Sequence, residues 1–274
     1  MSSSGVLAAA VRLRWRLLQP LLEKTGAIAL VFRKWERRSA QTPGGDFADE
    51  HPMPPPDLLV AVAGTPSREW FSVRGRQDAA FFAGLAAQHG VPMTGRAVVA
   101  DFGCGCGRIA RWLAPQVLGG GGRFLGFDLN PRLAAWCAAN LPGEYVRNRL
   151  RPPLDCAAAA VDVLYAYSVL THLREATAVA WLAEIARVLR PGGLALLTFH
   201  DEAFADLFGP PGAAAALAKR PYVVLNDALE GSNYISAWTT RAHFTQLVSG
   251  RFEVLEIRPG QADRTQALAV LRKR

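Results

Sequence analysis

Apolar residues change their spacing along this chain. Over residues 6–38 they recur at helical intervals, with Val6, Ala10, Leu13, Leu17 and Leu21 on one side and Pro20 breaking or kinking the run. Arg14 falls inside that apolar face, and Ile28 to Trp35 turns basic at Arg37 and Arg38. Residues 41–56, with Gly44-Gly45 and Pro54-Pro55-Pro56, read as a linker. Residues 57–90 read as helix in pieces, interrupted by an irregular stretch from Arg68 to Gly75.

From residue 97 short apolar runs alternate with helical patterns. Strands are predicted at Ala97–Phe102, Arg123–Asp128, Tyr145–Arg147, Val161–Ala166 and Leu194–Phe199. Helices are predicted at Arg108–Ala114, Pro131–Asn140 and Glu175–Leu189. Asn130 is the N-cap of the second, with Pro131 at its first position. Arg190-Pro191-Gly192-Gly193 ends the third. After a mixed insertion at 201–238 come a helix at Arg241–Val248 and strands at Phe252–Ile257 and Gln266–Leu271. Strands and helices in this order predict an α/β fold with a doubly wound, mostly parallel sheet. Ligands bind such sheets beyond the carboxyl ends of the strands, at the switch point. The predicted organisation is a helical arm (1–40), a linker (41–56) and one α/β domain (57–274).

Composition narrows the picture. The chain has 274 residues, half of them apolar, which is enough for one large core. No apolar run reaches the ~20 residues of a spanning helix. The net charge of +8 is unevenly spread, because residues 1–40 carry eight basic side chains against two acidic ones. The arm therefore has two readings: an interfacial helix on anionic lipid, or a solvated or partner-packed helix. The near-neutral remainder lacks a broad phosphate-binding stripe, which disfavours nucleic acid as partner. Cys104, Cys106, Cys137 and Cys156 form no C-x-x-C pair and no zinc pattern, so no metal is expected. With no clear secretory signal, reduced thiols and a cytoplasmic location are expected, with contact to the inner membrane face if the arm binds lipid.

The chemistry concentrates in Val99-Ala100-Asp101-Phe102-Gly103-Cys104-Gly105-Cys106-Gly107-Arg108, which runs from strand into helix. Its glycines allow a tight turn and close backbone approach of a ligand. The nicotinamide fingerprint G-x-G-x-x-G fails because Arg108 stands at its third glycine, and no P-loop occurs anywhere. S-adenosylmethionine fits better. Asp101 can face its cationic amino group, backbone amides its carboxylate, and Asp128, at the end of the second strand, its ribose diol.

Asp101-Phe102-Gly103-Cys104-Gly105-Cys106-Gly107-Arg108 followed by Gly126-Phe127-Asp128-Leu129-Asn130-Pro131 resembles class I S-adenosylmethionine-dependent methyltransferases. Tyr165–Leu173 (YAYSVLTHL) resembles the segment after their fourth strand, and Val188–Leu194 (VLRPGGL) their turn into the fifth. The resemblance implies the Rossmann-like seven-stranded fold with an antiparallel last strand. It implies a methionine end lined by Asp101, Gly103, Cys104, Gly105 and Gly107. Asp128 and Leu129 would hold ribose and flank adenine. Asn148, where many members carry an acid, would sit near the adenine amino group. Ser168 and Val169 would meet the cofactor from the fourth strand.

His172 and His200 follow strands four and five on the ligand side and are the candidate general bases. Trp70, Phe71, Arg74 and Gly75 form a candidate lid, and Phe204, Phe208, Tyr222, Tyr234 and Trp238 a candidate acceptor pocket. No [DNS]-P-P-[YFW] motif follows the fourth strand. The expected reaction is O- or N-methylation of a small-molecule or glycan-type acceptor. Protein or RNA methylation, or a non-catalytic cofactor-binding scaffold, are the alternatives.

Overall fold

The computed structural model describes residues 50–261 and 266–274, and before them only Lys34, Arg37 and Arg38. The basic arm is thus almost entirely outside the described residues, as is most of the linker. Among the described residues no helix is long and apolar enough to cross a membrane.

Seven strands form one sheet in the order β3-β2-β1-β4-β5-β9-β8. They are β1 (Val98–Phe102), β2 (Arg123–Asp128), β3 (Glu144–Arg147), β4 (Val161–Ala166), β5 (Leu189–Phe199), β8 (Phe252–Arg258) and β9 (Ala267–Lys273). The first five pair in parallel, and β9 runs antiparallel between β5 and β8. This is the doubly wound, mostly parallel sheet expected from the pattern, with the seven strands and antiparallel last strand that the resemblance implies. The chain leaves β1 for β2 on one side and returns to β4 on the other, which opens a crevice beyond the ends of β1 and β4.

Helices cover both faces. One carries α1 (Pro56–Ala63), α2 (Arg68–Gln88), α3 (Ala110–Gly119) and α4 (Pro131–Asn140); the other carries α5 (Glu175–Val188) and α8 (Arg241–Ser249). Phe82 and Leu85 of α2 and Leu113 and Val117 of α3 pack on Val99, Val163 and Tyr165. Trp181 and Ile185 of α5, with Phe244 of α8, pack on Leu164, Ala166 and Phe199. Asn130 caps α4 as expected, its side-chain oxygen accepting from the Arg132 amide at 3.0 Å.

Three local expectations are corrected. Arg68 to Gly75 is helical, because Ser67 caps α2 by accepting from the Trp70 amide and Gly75 lets the helix touch the Arg108 carbonyl. α3 continues through Pro115 to Gly119, keeping Val117 in the core. α5 does end before Arg190–Gly193, at Val188, but these residues are already part of β5 and not a turn ahead of it, since Leu189 pairs with Val161. The register shifts between Val161 and Val163, and Arg190 pairs with Asp162. The 201–238 insertion holds α6 (Glu202–Phe208), α7 (Ala213–Leu217) and an antiparallel hairpin of β6 (Tyr222–Leu225) with β7 (Ser236–Thr239). It has its own small core of Ala205, Leu217, Val223 and Trp238.

Candidate active site

A cavity of about 940 Å³ lies beyond the carboxyl ends of β1, β2 and β4. Its floor is the glycine loop, its far wall β4 and the turn after it, and its roof α1 together with residues 231–234. Asp101, Gly103, Cys104, Gly105, Asp128, Leu129, Asn148, Ser168, Val169 and His172 all line it.

The floor is held by main-chain bonds. The amides of Gly103 and Cys104 both donate to the Phe127 carbonyl, at 2.7 and 3.0 Å, which ties the loop to the end of β2. The Gly105 amide donates to Asp128 at 2.8 Å, and the Asn130 amide donates to the other oxygen of that carboxylate at 2.8 Å. Burial raises the Asp128 pKa, and these two amide bonds oppose the rise. The expectation that the loop amides are free to meet a ligand carboxylate is therefore corrected at Gly103, Cys104 and Gly105, which already bond inside the fold.

The glycines have a packing role as well. Gly103, Gly105 and Gly107 have φ of 82°, 56° and 81°, the left-handed region. A Cβ on Gly103 would lie 2.2 Å from Val169, and one on Gly105 2.9 Å from Val62 of α1. The space a side chain would take is filled by these two valines, which seat the far wall and the roof on the loop. Gly107 does not line the cavity, contrary to expectation; its open side is taken by Leu141 and Cys137.

Asp101 is buried at the end of β1, and its Oδ2 accepts from the Tyr165 hydroxyl at 2.8 Å. Burial pushes its pKa up to about 7, opposed by the Tyr165 bond, raised further by Asp128 and lowered by Arg108. Arg108 is not a solvated first-turn residue. It is buried, paired with Asp78 of α2 at 2.6 Å, with its guanidinium 4.8 Å from the Tyr167 ring centre. Ser168 has φ 61° and is fastened on three sides. Its amide donates to Thr198, its hydroxyl meets Thr171, and Gln266 donates to that hydroxyl.

The two histidines part company. His172 lines the cavity, and its Nδ1 lies 2.9 Å from the Ile235 carbonyl. A carbonyl only accepts, so Nδ1 carries the proton and Nε2 is left as the basic nitrogen. Burial lowers the His172 pKa, so the ring is neutral at pH 7. His200 is absent from the cavity wall. It stacks on Phe204 at 3.7 Å between ring centres, and burial pushes its pKa down to about 3. The expectation of a general base at His200 is corrected: the ring is packing.

Of the candidate lid, Trp70 reaches the cavity while Phe71 is fully buried against Leu58, Leu59, Cys106 and Leu133. Of the candidate pocket aromatics only Tyr234 lines the cavity; Tyr222 donates to the Leu173 carbonyl and Phe208 is exposed. No cluster of metal-binding side chains occurs among the described residues.

The donor set fits S-adenosylmethionine. Asn148 is buried on the wall, its Nδ2 donates to the Arg149 carbonyl, and its Oδ1 has no partner. A buried acceptor of that kind suits the amino group of adenine.

Residues 99–193 match the family model described as "Methyltransferase domain". The chain carries a class I S-adenosylmethionine-dependent methyltransferase domain. Solved structures agree with this methyltransferase in fold. One is the Burkholderia thailandensis 1,6-didemethyltoxoflavin-N1-methyltransferase with 1,6-didemethyltoxoflavin and S-adenosylhomocysteine bound. It is 18% identical, with a TM-score of 0.52 over 84% of this chain and 98% of that one. A Mesorhizobium loti S-adenosylmethionine-dependent methyltransferase is 17% identical, with a TM-score of 0.52 over 69% of this chain and 96% of that one. A chain from the Haloferax volcanii complex of a methyltransferase with its activator Trm112 is 16% identical, with a TM-score of 0.53. That match covers 79% of this chain and 96% of the other. The methyltransferase takes S-adenosylmethionine as its cofactor.

Two features escaped the sequence. The Tyr165–Asp101 bond joins residues 64 positions apart, and its only local trace is a tyrosine among the aliphatic residues at the end of β4. The Asp78–Arg108 pair had a similar trace, an acid on the apolar face of a helix.

Proposed function

We propose that this methyltransferase transfers a methyl group to a hydroxyl or ring nitrogen of a small-molecule acceptor, with His172 as general base. The cofactor supplies the electrophilic methyl group. Asp128 and Asn148 hold its nucleoside end, and Asp101 its amino group. The observation that carries the reading is the His172 tautomer: Nδ1 is engaged by Ile235, and Nε2 remains to take a proton from the acceptor. A neutral imidazole on the cavity wall suits that task.

The size of the acceptor follows from the roof. The cavity falls near the upper end of the ~300–1,000 Å³ range of ligand pockets, room for a cofactor with a small acceptor beside it. Asn233 donates to the Ala61 carbonyl and so links residues 231–234 to α1. A folded protein or RNA helix would have to displace that link.

The test is a screen of phenolic, glycosyl and N-heterocyclic acceptors for release of S-adenosylhomocysteine, repeated with His172→Gln. The expected loss of turnover is about 10²- to 10⁴-fold, with cofactor affinity unchanged. Wild-type turnover in His172→Gln would remove the base. Turnover only with protein or RNA acceptors would replace the small-molecule reading.

A further inference from the structure

We propose that Tyr165 is a positioning residue for cofactor binding: its hydroxyl holds one oxygen of Asp101 and leaves the other for the cationic amino group of the cofactor. This rests on the reading that Asp101 faces the methionine end.

Asp101 and Tyr165 are register partners on β1 and β4, the two strands that flank the crevice, so their side chains leave the sheet on the same face. The 2.8 Å bond uses Oδ2. Oδ1 takes no hydrogen bond from the described residues, while Asp101 lines the cavity. A carboxylate with one oxygen fastened has one orientation instead of two, and this ordering precedes ligand binding.

Tyr165 is itself held. It is fully buried, and Phe82 of α2 stacks on its ring at 5.2 Å between centres. The hydroxyl therefore cannot swing away without disturbing α2.

The bond also bears on charge. The hydroxyl can only donate to Asp101 in its ionised form or share a proton with its neutral form, so it favours the carboxylate. The other groups facing Asp101 are Asp128 from β2, Arg108 and Cys104 from the glycine loop, and Tyr145 from β3. Of these only Arg108 is a cation, and it is already paired with Asp78. Tyr165 is thus the main neutral donor keeping Asp101 charged in a buried place.

The test is calorimetric titration of S-adenosylhomocysteine from about pH 5.5 to 8.5 into wild type, Tyr165→Phe and Asp101→Asn. Wild-type affinity is expected to fall as pH drops through the Asp101 titration. In Tyr165→Phe that fall moves to higher pH, with about 3- to 10-fold weaker binding at pH 7 and recovery toward wild type at the alkaline end. Asp101→Asn is expected to lose both tight binding and the pH step. Identical profiles for Tyr165→Phe and wild type, with Asp101→Asn impaired, would overturn the proposal alone. Wild-type binding by Asp101→Asn would instead overturn the placement of Asp101.

A second readout needs no ligand. A carboxyl whose folded pKa is raised stabilises the fold fully below its unfolded pKa, and that contribution disappears as pH rises through the folded value. Melting temperature should therefore carry a decline between about pH 4 and pH 7 that Tyr165→Phe displaces upward. If Tyr165→Phe does not fold, Phe82→Leu, which loosens the tyrosine without touching Asp101, should give a smaller displacement in the same direction. No displacement in Phe82→Leu would count against the proposal.

Discussion

The floor of the cavity is held to β2 through the amides of the glycine loop, whereas its roof is joined to α1 through the side chain of Asn233. On the floor, Gly103, Cys104 and Gly105 are tied to Phe127 and Asp128 by their amides, and the loop is fixed by the backbone of β2. In the roof, Asn233 reaches the Ala61 carbonyl, and Gly231 rests on Leu129 and Leu150. In the proposed reading the floor meets the cofactor, and its geometry rests on loop amides bonded to the Phe127 carbonyl and the Asp128 carboxylate. In the same reading the roof meets the acceptor, and side chains there can vary without disturbing the sheet. That reading gives the floor the function shared across the fold and the roof the selectivity.

The sharpest way to break this contrast is Asp128→Ala. It removes the partner of two amides and the acceptor for ribose, and S-adenosylhomocysteine affinity should drop by at least about 100-fold, ~3 kcal/mol. Calorimetry on folded protein checks it; binding within about twofold of wild type would mean that the floor is not the cofactor's anchor.

Gly75→Ala probes how the helical layer meets that floor. Its Cβ would sit 2.1 Å from the Arg108 carbonyl, so α2 must move off the loop. Chemical denaturation should show a loss of about 1–3 kcal/mol. An unchanged midpoint would show that α2 and the loop are not tightly seated.

Asn233→Ala should have the smallest effect. Its link to α1 is partly exposed, and a change of about 1 kcal/mol or less is expected. The change should appear in the acceptor KM, with cofactor affinity the same. A cofactor effect as large as that of Asp128→Ala would erase the distinction between floor and roof.

The floor could be read along the chain because it is local. Asp101 to Arg108 is one continuous turn, Asp128 closes the next strand, and Asn130-Pro131 announces the helix that follows. The alternation of strands and helices predicted a doubly wound, mostly parallel sheet for the same reason. What escaped was contact between distant segments. Arg68 to Gly75 looked irregular because the partner that accepts Gly75 is the Arg108 carbonyl, far along the chain. Pro-Gly-Gly after Arg190 marked the end of the helix, but its place in β5 was hidden because the Val161–Leu189 pairing that makes it strand is tertiary. His200 resembled His172 in position, and only the ring of Phe204 against it tells them apart. Tyr165 and Phe82 are core residues, and the hydroxyl aimed at Asp101 is legible only in three dimensions.

The way α1 and α2 sit on the glycine loop bears on where the chain can be cut. Leu58, Leu59 and Phe71 share one apolar cluster with Cys106 and Leu133, and Cys106 donates to the Leu58 carbonyl. The stretch matched by the family begins only at residue 99. A protein started there would keep every residue of the cofactor floor, yet present that cluster, together with the Val99 and Tyr165 side of the sheet, to water. Such a fragment should precipitate rather than bind weakly, and a soluble minimal version has to begin before Pro56.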